Sequence, residues 1–200
     1  MTKLEFTDTY CDLSSSELFN KVQSVMSEKR FKHSIGVSQT ARKLAELNDY
    51  DPNKAALTGF LHDYAKEFPE EKFREKILKE NYDPDLILYP PVWHGIVGAS
   101  FVEEDLGIKD PEILTAIRKH TVGDRSMTTL DQIVFVADFI EPNRDFPAVD
   151  EARKVAFADL KEGMCYEIAH TIQFLVQKRQ AIYPKMFEAY NSYVANKREI

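Results

Sequence analysis

Apolar residues recur along most of the chain at spacings of three and four, which is the periodicity of an amphipathic helix. Strand-like alternation of apolar and polar residues is not a feature of any long segment. The pattern therefore predicts an all-α fold. The first predicted helix is capped by Ser14, Ser15 or Ser16 and carries Phe19, Val22 and Met26. The second begins near Phe31, and the third begins at Pro52 and ends around 62–66. The other predicted helices are Glu70–Lys79, Trp93–Leu106, Pro111–His120, Thr129–Ile140 and Met164–Ile182.

Length and composition favour one globular domain. The chain has 200 residues, of which 44% are hydrophobic, enough for one sizeable core. We expect a single domain over residues 1–200, with a compact part at about 17–193 and a loose N-terminal tail at 1–13.

Charge and cysteine content narrow the range of partners. The net charge of −7 and the absence of a Lys/Arg cluster argue against a nucleic-acid polymer as a partner. No run approaches the roughly 18 apolar residues of a membrane span, and the first residues lack a signal-peptide pattern. Cys11 and Cys165 match neither a disulfide framework nor a metal-finger spacing. We therefore expect a cytoplasmic protein without a membrane partner; its oligomeric state stays open, with a homodimer among the options.

Four of the five histidines fall on the apolar side of a predicted helix. His33, for example, shares a helical face with Val37 and Leu44, so its imidazole should point to the core. One such residue is as readily a core histidine bonded to a carbonyl as it is a ligand. Four on separate helices indicate a shared site; they are His33, His62, His94 and His120.

Asp138 interrupts the apolar run 133–140, and no residue at helical spacing from it supplies a cation. A buried, unpartnered carboxylate would cost several kcal/mol, so either a metal or a distant basic group must lie opposite it. Histidine and aspartate together are suitable ligands for iron, manganese or zinc.

These residues follow the order H…HD…D, which resembles the signature of the HD superfamily of metal-dependent phosphohydrolases. The resemblance implies a helical HD-domain bundle built around a metal site. It also implies the metal ligands, namely His33, His62, Asp63 and Asp138. Asp63 would bridge two ions if a second one binds.

Longer motifs make the resemblance more specific. The chain resembles the YqeK family of HD proteins from about Glu17 to Tyr193. The segments that match are Arg30–Val37, His62–Lys66, His94–Ala99, His120–Gly123 and Ala137–Phe146. The resemblance implies symmetrical hydrolysis of diadenosine tetraphosphate to two ADP by metal-activated hydroxide. Spacing and composition by themselves indicate a metal site but no adenine.

The resemblance further implies one or two transition-metal ions, with iron first and manganese or another metal as alternatives. His94 and His120 belong to the same pocket, where they could ligate a second ion or contact substrate phosphate. Lys66 follows Asp63 by about one helical turn and could neutralise charge on the phosphoryl oxygens. The candidate catalytic residues are thus Asp63, Lys66, His94 and His120.

Several residues are candidates for substrate binding. A guanidinium can bind phosphate through two parallel hydrogen bonds, although spacing alone makes a surface ion pair equally good for Arg30 and Arg144. The Thr121 hydroxyl could donate to phosphate, and Gly36 would permit close backbone approach. The full candidate set is Arg30, His33, Gly36, Lys66, His94, His120, Thr121 and Arg144.

Two other functions fit the same residues. The first is an HD phosphohydrolase acting on a deoxynucleoside monophosphate, a cyclic nucleotide or a guanosine alarmone. The second is a non-catalytic nucleotide sensor. Retention of all four signature ligands argues against the sensor, because a sensor need not keep a water-activating site.

Overall fold

The computed structural model describes residues 10–195, and within that range the fold is helical with no strand. Two short 3-10 turns, Pro84–Leu88 and Pro90–Val92, connect α4 to α5. The helices are α1 (Ser15–Ser24), α2 (Glu28–Leu47), α3 (Pro52–Leu61), α4 (Glu70–Lys79), α5 (Trp93–Ile96), α6 (Gly98–Leu106), α7 (Pro111–Lys119), α8 (Thr129–Ile140), α9 (Val149–Ala158), α10 (Leu160–Gln177) and α11 (Pro184–Tyr193). The all-α prediction is confirmed.

Short polar side chains begin most of these helices. Ser14 caps α1 and forms a capping box with Glu17, while Asp51 caps α3 directly before Pro52. Thr128 and Asp131 form a second capping box at the start of α8. Each cap satisfies backbone N–H groups that have no partner inside the helix, so the local sequence fixes where these helices start.

Several helix boundaries differ from the predictions, among them the ends of α3 at Leu61 and of α7 at Lys119. Helix α2 begins three residues before Phe31, because the Ser27 hydroxyl accepts from the Arg30 amide. Met26 lies outside α1, which ends at Ser24. The predicted helix 93–106 is divided at Val97, whose carbonyl accepts from Ser100 in a tighter turn.

The last difference concerns α10, which runs from Leu160 to Gln177 rather than over 164–182. Arg179 adopts a positive φ of 52°, and the Gln180 amide turns back to the Leu175 carbonyl. Ile182 consequently lies outside the helix. Helix α9 was not predicted at all, because its buried residues include the small Ala152 and Ala156, which give a weak periodic signal.

Helix α8 is at the centre of the packing. It contacts α2, α3, α7 and α10, and α2 also packs along α3. Most buried side chains belong to one large cluster among these helices. A smaller cluster forms around Trp93, with Phe73 and Tyr183 among its members, and Phe68 and Phe101 pack against both clusters.

The start of the described range is attached to the core. Cys11 is buried and contacts the Leu106 carbonyl, and the Tyr10 hydroxyl donates to Asp51 at 2.7 Å. Part of the predicted loose tail, residues 10–13, is therefore packed; residues 1–9 of that tail lie outside the described residues. None of the helices between residues 10 and 195 is long and apolar enough to cross a membrane.

Candidate metal centre

The four predicted histidines meet in one buried cluster, each delivered by a different helix. His33 lies in the first half of α2, and His94 lies in the short helix α5. His62 and His120 are the C-cap residues that directly follow α3 and α7. All four are buried, from 8% exposure for His33 to none for His62. The expectation that these imidazoles point inward is confirmed.

Asp63 lies between two groups of histidines. Its Oδ2 atom faces Nε2 of His33 at 3.6 Å and Nε2 of His62 at 3.4 Å. Its Oδ1 atom faces Nε2 of His94 at 3.3 Å and Nε2 of His120 at 3.6 Å. A carboxylate oriented in this way can offer one oxygen to each of two neighbouring cations.

Asp138, on α8, completes the group on the Oδ2 side of Asp63. Its Oδ1 atom is 3.0 Å from Nε2 of His33 and 3.7 Å from Nε2 of His62. The donor atoms of His33, His62 and Asp138 lie within 4.8 Å of one another, as do those of His62, Asp63 and His120. The residues that the sequence selected for metal binding thus come together.

The second ring nitrogen fixes the orientation of three of these imidazoles. Nδ1 of His62 donates to the Gly59 carbonyl at 2.7 Å, and Nδ1 of His120 donates to the Ile117 carbonyl at 2.7 Å. Nδ1 of His33 donates to Glu141 Oε1 at 3.1 Å. Because a carbonyl and a carboxylate only accept, Nδ1 carries a proton in each of these rings, and Nε2 is the atom that faces the cluster and can bind a metal there.

This arrangement fits a cation. Nε2 of His33 and Nε2 of His62 are 3.3 Å apart, and both would present lone pairs to each other and to two carboxylates. Such a cluster of electron-rich atoms is stable only when a proton or a metal ion lies among them. Imidazole and carboxylate donors with fixed outer hydrogen bonds are the set that transition metals use.

The electrostatics of the two acidic ligands agree with this fit. Burial opposes ionisation of Asp63, but the imidazoles, His62 first, hold its pKa well below the usual value. Desolvation likewise opposes ionisation of Asp138, and Arg144 with the nearby imidazoles holds its pKa well below the usual value. Both carboxylates are therefore ionised at neutral pH.

The pKa values of His62 and His94 shift in opposite directions. Burial lowers the pKa of His62, but Asp63 and Asp138 raise it to about 10. Burial also lowers the pKa of His94, and there Lys66 and His120 contribute further, so that it lies well below the usual value. His62 therefore holds a proton that a bound metal would displace, whereas His94 is neutral.

Glu141 is a further residue of this cluster, and the sequence interpretation missed it. It follows Asp138 by three residues, is 1% exposed, and accepts from His33 and from the Asn143 backbone and side-chain amides. Burial alone would raise its pKa, but these donors lower it. Asp138 interrupts the apolar run 133–140 and Glu141 directly follows it, so the same expectation of burial applies to both carboxylates.

Gly36 lies against this carboxylate. A Cβ atom built on Gly36 would collide with Glu141 Oε2 and lie 3.0 Å from Asn143 Nδ2, so these side chains would have to shift from their present positions. The missing side chain therefore gives Glu141 room beside His33. The predicted contact of Gly36 with substrate stays a prediction.

The two candidate arginines contact the acidic ligands. Nη1 of Arg30 donates to Asp63 Oδ2 at 2.6 Å, while Arg144 pairs with the Asp138 carboxylate and donates from Nε to the Asp138 carbonyl at 2.8 Å. Arg144 is thus the basic group that lies opposite Asp138, whose side chain is 22% exposed rather than fully buried as the sequence suggested. The side chains of Arg30 and Arg144 are 26% and 37% exposed, which places both at the open side of the cluster.

Lys66 and Thr121 lie on the Oδ1 side of Asp63. The Lys66 ammonium is 3.0 Å from Nε2 of His94, and Thr121 Oγ1 is 3.3 Å from the same atom and 3.2 Å from Nε2 of His120. Desolvation, with Arg30 and Arg144 nearby, lowers the pKa of Lys66. Every candidate residue selected from the sequence therefore lies in or beside one cluster.

Comparisons with known proteins agree with this geometry. The model of the HD domain matches residues 30–143, more than half of the chain. A crystal structure from Clostridium acetobutylicum, described as a predicted HD superfamily hydrolase involved in NAD metabolism, superposes with a TM-score of 0.88 at 35% identity, covering 92% of this chain and 99% of that one. The chain therefore belongs to the HD-domain family, which implies that its site binds a divalent metal.

Sequence relatives place the chain more narrowly within that class. A Bacillus subtilis protein named symmetrical bis(5'-nucleosyl)-tetraphosphatase is 41% identical over 90% of this chain and 97% of its own length. A Staphylococcus aureus protein of the same name is 39% identical over 83% of this chain and 87% of its own length. The resemblance to the YqeK family is confirmed.

Proposed function

We propose that the chain hydrolyses diadenosine tetraphosphate symmetrically and releases two molecules of ADP. The observation that carries the proposal is the two-sided environment of Asp63, with imidazole nitrogens facing each of its oxygens. Two relatives with about 40% identity over most of the chain bear the name symmetrical bis(5'-nucleosyl)-tetraphosphatase. A cluster with two adjacent cation sites suits a substrate whose reacting bond joins two phosphates.

The residues on the two sides would hold different ions. His33, His62, Asp63 Oδ2 and Asp138 are the proposed ligands on one side, and Asp63 Oδ1 with His94 and His120 on the other. A bound metal supplies Lewis acidity and lowers the pKa of a coordinated water. Among metals that accept this donor set we propose iron, with manganese as the alternative.

The cationic residues would neutralise the negative charge of the bound phosphates. Arg30 and Arg144 are paired with Asp63 and Asp138, and both reach solvent at the open side of the cluster. A bound polyphosphate competes for the same guanidinium groups, and bidentate pairing with phosphate favours the exchange. Lys66 would stabilise charge that develops on the phosphoryl oxygens, and the Thr121 hydroxyl would donate to one of them.

The same proposal fixes which bond breaks. Water attacks one of the two inner phosphorus atoms, and the oxygen that joined it to the other inner phosphate departs with the second ADP. One ADP gains the water oxygen on its β-phosphate, and the other keeps the bridging oxygen. Both products are therefore diphosphates.

The test is a product assay in oxygen-18 water, with the protein loaded with iron or manganese. We expect only ADP from diadenosine tetraphosphate, with one labelled β-phosphate per turnover. AMP plus ATP would contradict symmetrical cleavage. Inorganic phosphate from a monophosphate, with the dinucleotide left intact, would support another HD phosphohydrolase instead, and tight binding without any turnover would support the sensor.

We further propose a cytoplasmic protein that has no nucleic-acid polymer or membrane as partner. Cys11 and Cys165 are buried, and their spacing matches neither a disulfide framework nor a metal finger, as suits a reducing compartment. The acidic net charge of −7 supports the exclusion of nucleic acid. A homodimer remains one option, and the mass of the purified protein in solution tests it.

A further inference from the structure

A cavity of about 310 Å³ lies beside the metal centre and has no role in the mechanism above. It is bounded by the second half of α10, by the segment 180–183 that follows it, and by the turn at 88–92. The wall nearest the metal centre is formed by Thr121 and Val122. The cavity therefore begins where the candidate phosphate-binding residues end.

Thr121 connects the two places. Its hydroxyl lies 3.3 Å from Nε2 of His94 and 3.2 Å from Nε2 of His120, and the same residue lines the cavity. A ligand whose phosphate lies against these histidines would thus bring its neighbouring chemical group to the mouth of the cavity.

The walls of the cavity suit a nucleoside. Most of them are apolar, and Tyr89 and Tyr183 form an aromatic corner with ring centroids 5.1 Å apart at an interplanar angle of 78°. Aromatic faces stack on nucleobases whatever their sequence. Thr171 and Gln180 add side-chain donors and acceptors that can meet the polar edge of a base.

The size of the cavity limits the occupant. About 310 Å³ is at the lower end of the roughly 300 to 1,000 Å³ found for pockets of drug-sized ligands. It can therefore take one nucleoside but not a whole dinucleotide. A second cavity, of equal volume and beyond Pro91, is lined by Lys66 and Glu70 and is more polar in character.

We propose that the cavity lined by Thr121, Thr171 and Tyr183 binds the nucleoside of the ADP unit whose phosphates contact the metal centre. The proposal rests on the proposed function and assigns the recognition of the substrate's base to α10 and the segment after it.

The test compares two ligands that share the diphosphate and differ in the nucleoside. Calorimetry measures the binding of ADP and of inorganic pyrophosphate to the metal-loaded protein, in the wild type and in Ala181→Trp. The Ala181→Trp substitution fills the cavity from its exposed rim. We expect ADP affinity to fall about 10- to 100-fold, the range that loss of base stacking produces, and pyrophosphate affinity to change by less than about twofold. Glu70→Trp, which fills the second cavity, is the matched control and should leave the ratio of the two affinities unchanged.

The proposal would be overturned if Ala181→Trp left the ratio of ADP affinity to pyrophosphate affinity unchanged. It would also be overturned if that ratio fell only in Glu70→Trp. A thermal melt establishes that each variant is folded, and Gln180→Trp, at the same exposed rim, replaces Ala181→Trp if that variant does not fold. Failure of the proposed function is distinguishable, because it would appear as absence of ADP product in wild-type protein whatever the binding ratio. Even if the wild-type protein released no ADP, selective loss of ADP binding in Ala181→Trp would still support the nucleoside site.

Discussion

The two sides of Asp63 use the same residue types for different tasks. On the Oδ2 side, His33 and His62 face a second carboxylate, Asp138, and their outer nitrogens are held by Glu141 and a backbone carbonyl. On the Oδ1 side, His120 is held by a carbonyl in the same way, but His94 contacts the ammonium of Lys66 instead. The Oδ2 side is therefore richer in negative charge than the Oδ1 side.

The difference in charge has a measurable consequence. Two carboxylates raise the pKa of His62 to about 10, whereas burial and the neighbouring cation hold the pKa of His94 well below its usual value. A site with two anionic ligands binds a cation more tightly than a site with one. We therefore expect a tightly held ion on the Oδ2 side and a more exchangeable ion, next to the substrate phosphate, on the Oδ1 side.

The largest effect should follow from the residue that both sides share. Asp63→Asn keeps the size of the side chain but removes its charge, so both ions lose a ligand. We expect activity to fall by more than the roughly 10- to 100-fold typical of an outer hydrogen-bond partner, together with loss of bound metal. His170→Gln, a histidine of α10 that packs among Phe139, Phe146 and Tyr166, is the control. Normal metal content and turnover in Asp63→Asn would remove Asp63 from the centre.

Lys66→Ala should affect chemistry without affecting the metal. The ammonium contacts His94 rather than a metal-binding carboxylate, and its proposed task is to stabilise charge on the phosphoryl oxygens. We expect kcat to fall roughly 100-fold, as for removal of one such donor, with metal content unchanged. Lys79 is exposed and pairs with Glu75 away from the cluster, so Lys79→Ala should behave as wild type. Loss of metal in Lys66→Ala would show that the two sides are not separable.

Glu141→Gln addresses the outer support of the Oδ2 side alone. Gln keeps the volume, but its amide accepts the His33 proton less strongly than a carboxylate does. We expect about 10- to 100-fold weaker metal binding on that side, measured by titration of the metal-free protein. Glu112→Gln, at an acid that pairs with Lys54 away from the cluster, controls for loss of an acidic charge. Equal metal affinity in Glu141→Gln and wild type would contradict the role given to Glu141.

The smallest effect concerns Glu167, a buried carboxyl of α10 whose Oε2 has no hydrogen-bond partner among residues 10–195. Burial, with Asp138 nearby, raises its pKa well above the usual 4.5. The folded protein then keeps a proton that the unfolded chain releases above pH 4.5, so stability is lost as the pH rises. Glu167→Gln should remove that loss.

The expected gain is about 1 kcal/mol near neutral pH, a Tm increase of roughly 2 to 4 °C, with none at a pH below the ordinary carboxyl range. Urea unfolding at two pH values measures it, and turnover should stay within about twofold. Glu162→Gln, on an exposed position of the same helix, should show no gain at either pH. A gain of the same size at both pH values would mean that ionisation of Glu167 is not the cause.

The sequence was sufficient for the fold class and for the position of each candidate ligand, because helical periodicity and the H…HD…D order are local patterns. His33, His62 and Asp138 meet as expected although they are far apart in the chain. The sequence pattern did not predict helix α9, because Ala152 and Ala156 give little hydrophobic contrast.

What the sequence could not provide was the pairing between distant groups. Whether Arg144 binds phosphate or Asp138 depends on a turn after α8, and periodicity does not describe turns. The contact of Gly36 with Glu141 depends on the packing of α2 against the end of α8, which is a property of the assembled bundle. The cavity beside Thr121 likewise forms only where three distant segments meet.

The most direct test of the two-sided centre is the number of metal ions per chain in wild type, His62→Ala and His120→Ala, measured by elemental analysis after gel filtration in metal-containing buffer. We predict two ions in the wild type, one in His120→Ala, whose Oδ2 side is intact, and at most the weaker ion in His62→Ala. A wild type that never binds more than one ion, or a His120→Ala variant that keeps two, would contradict a centre in which Asp63 bridges two ions.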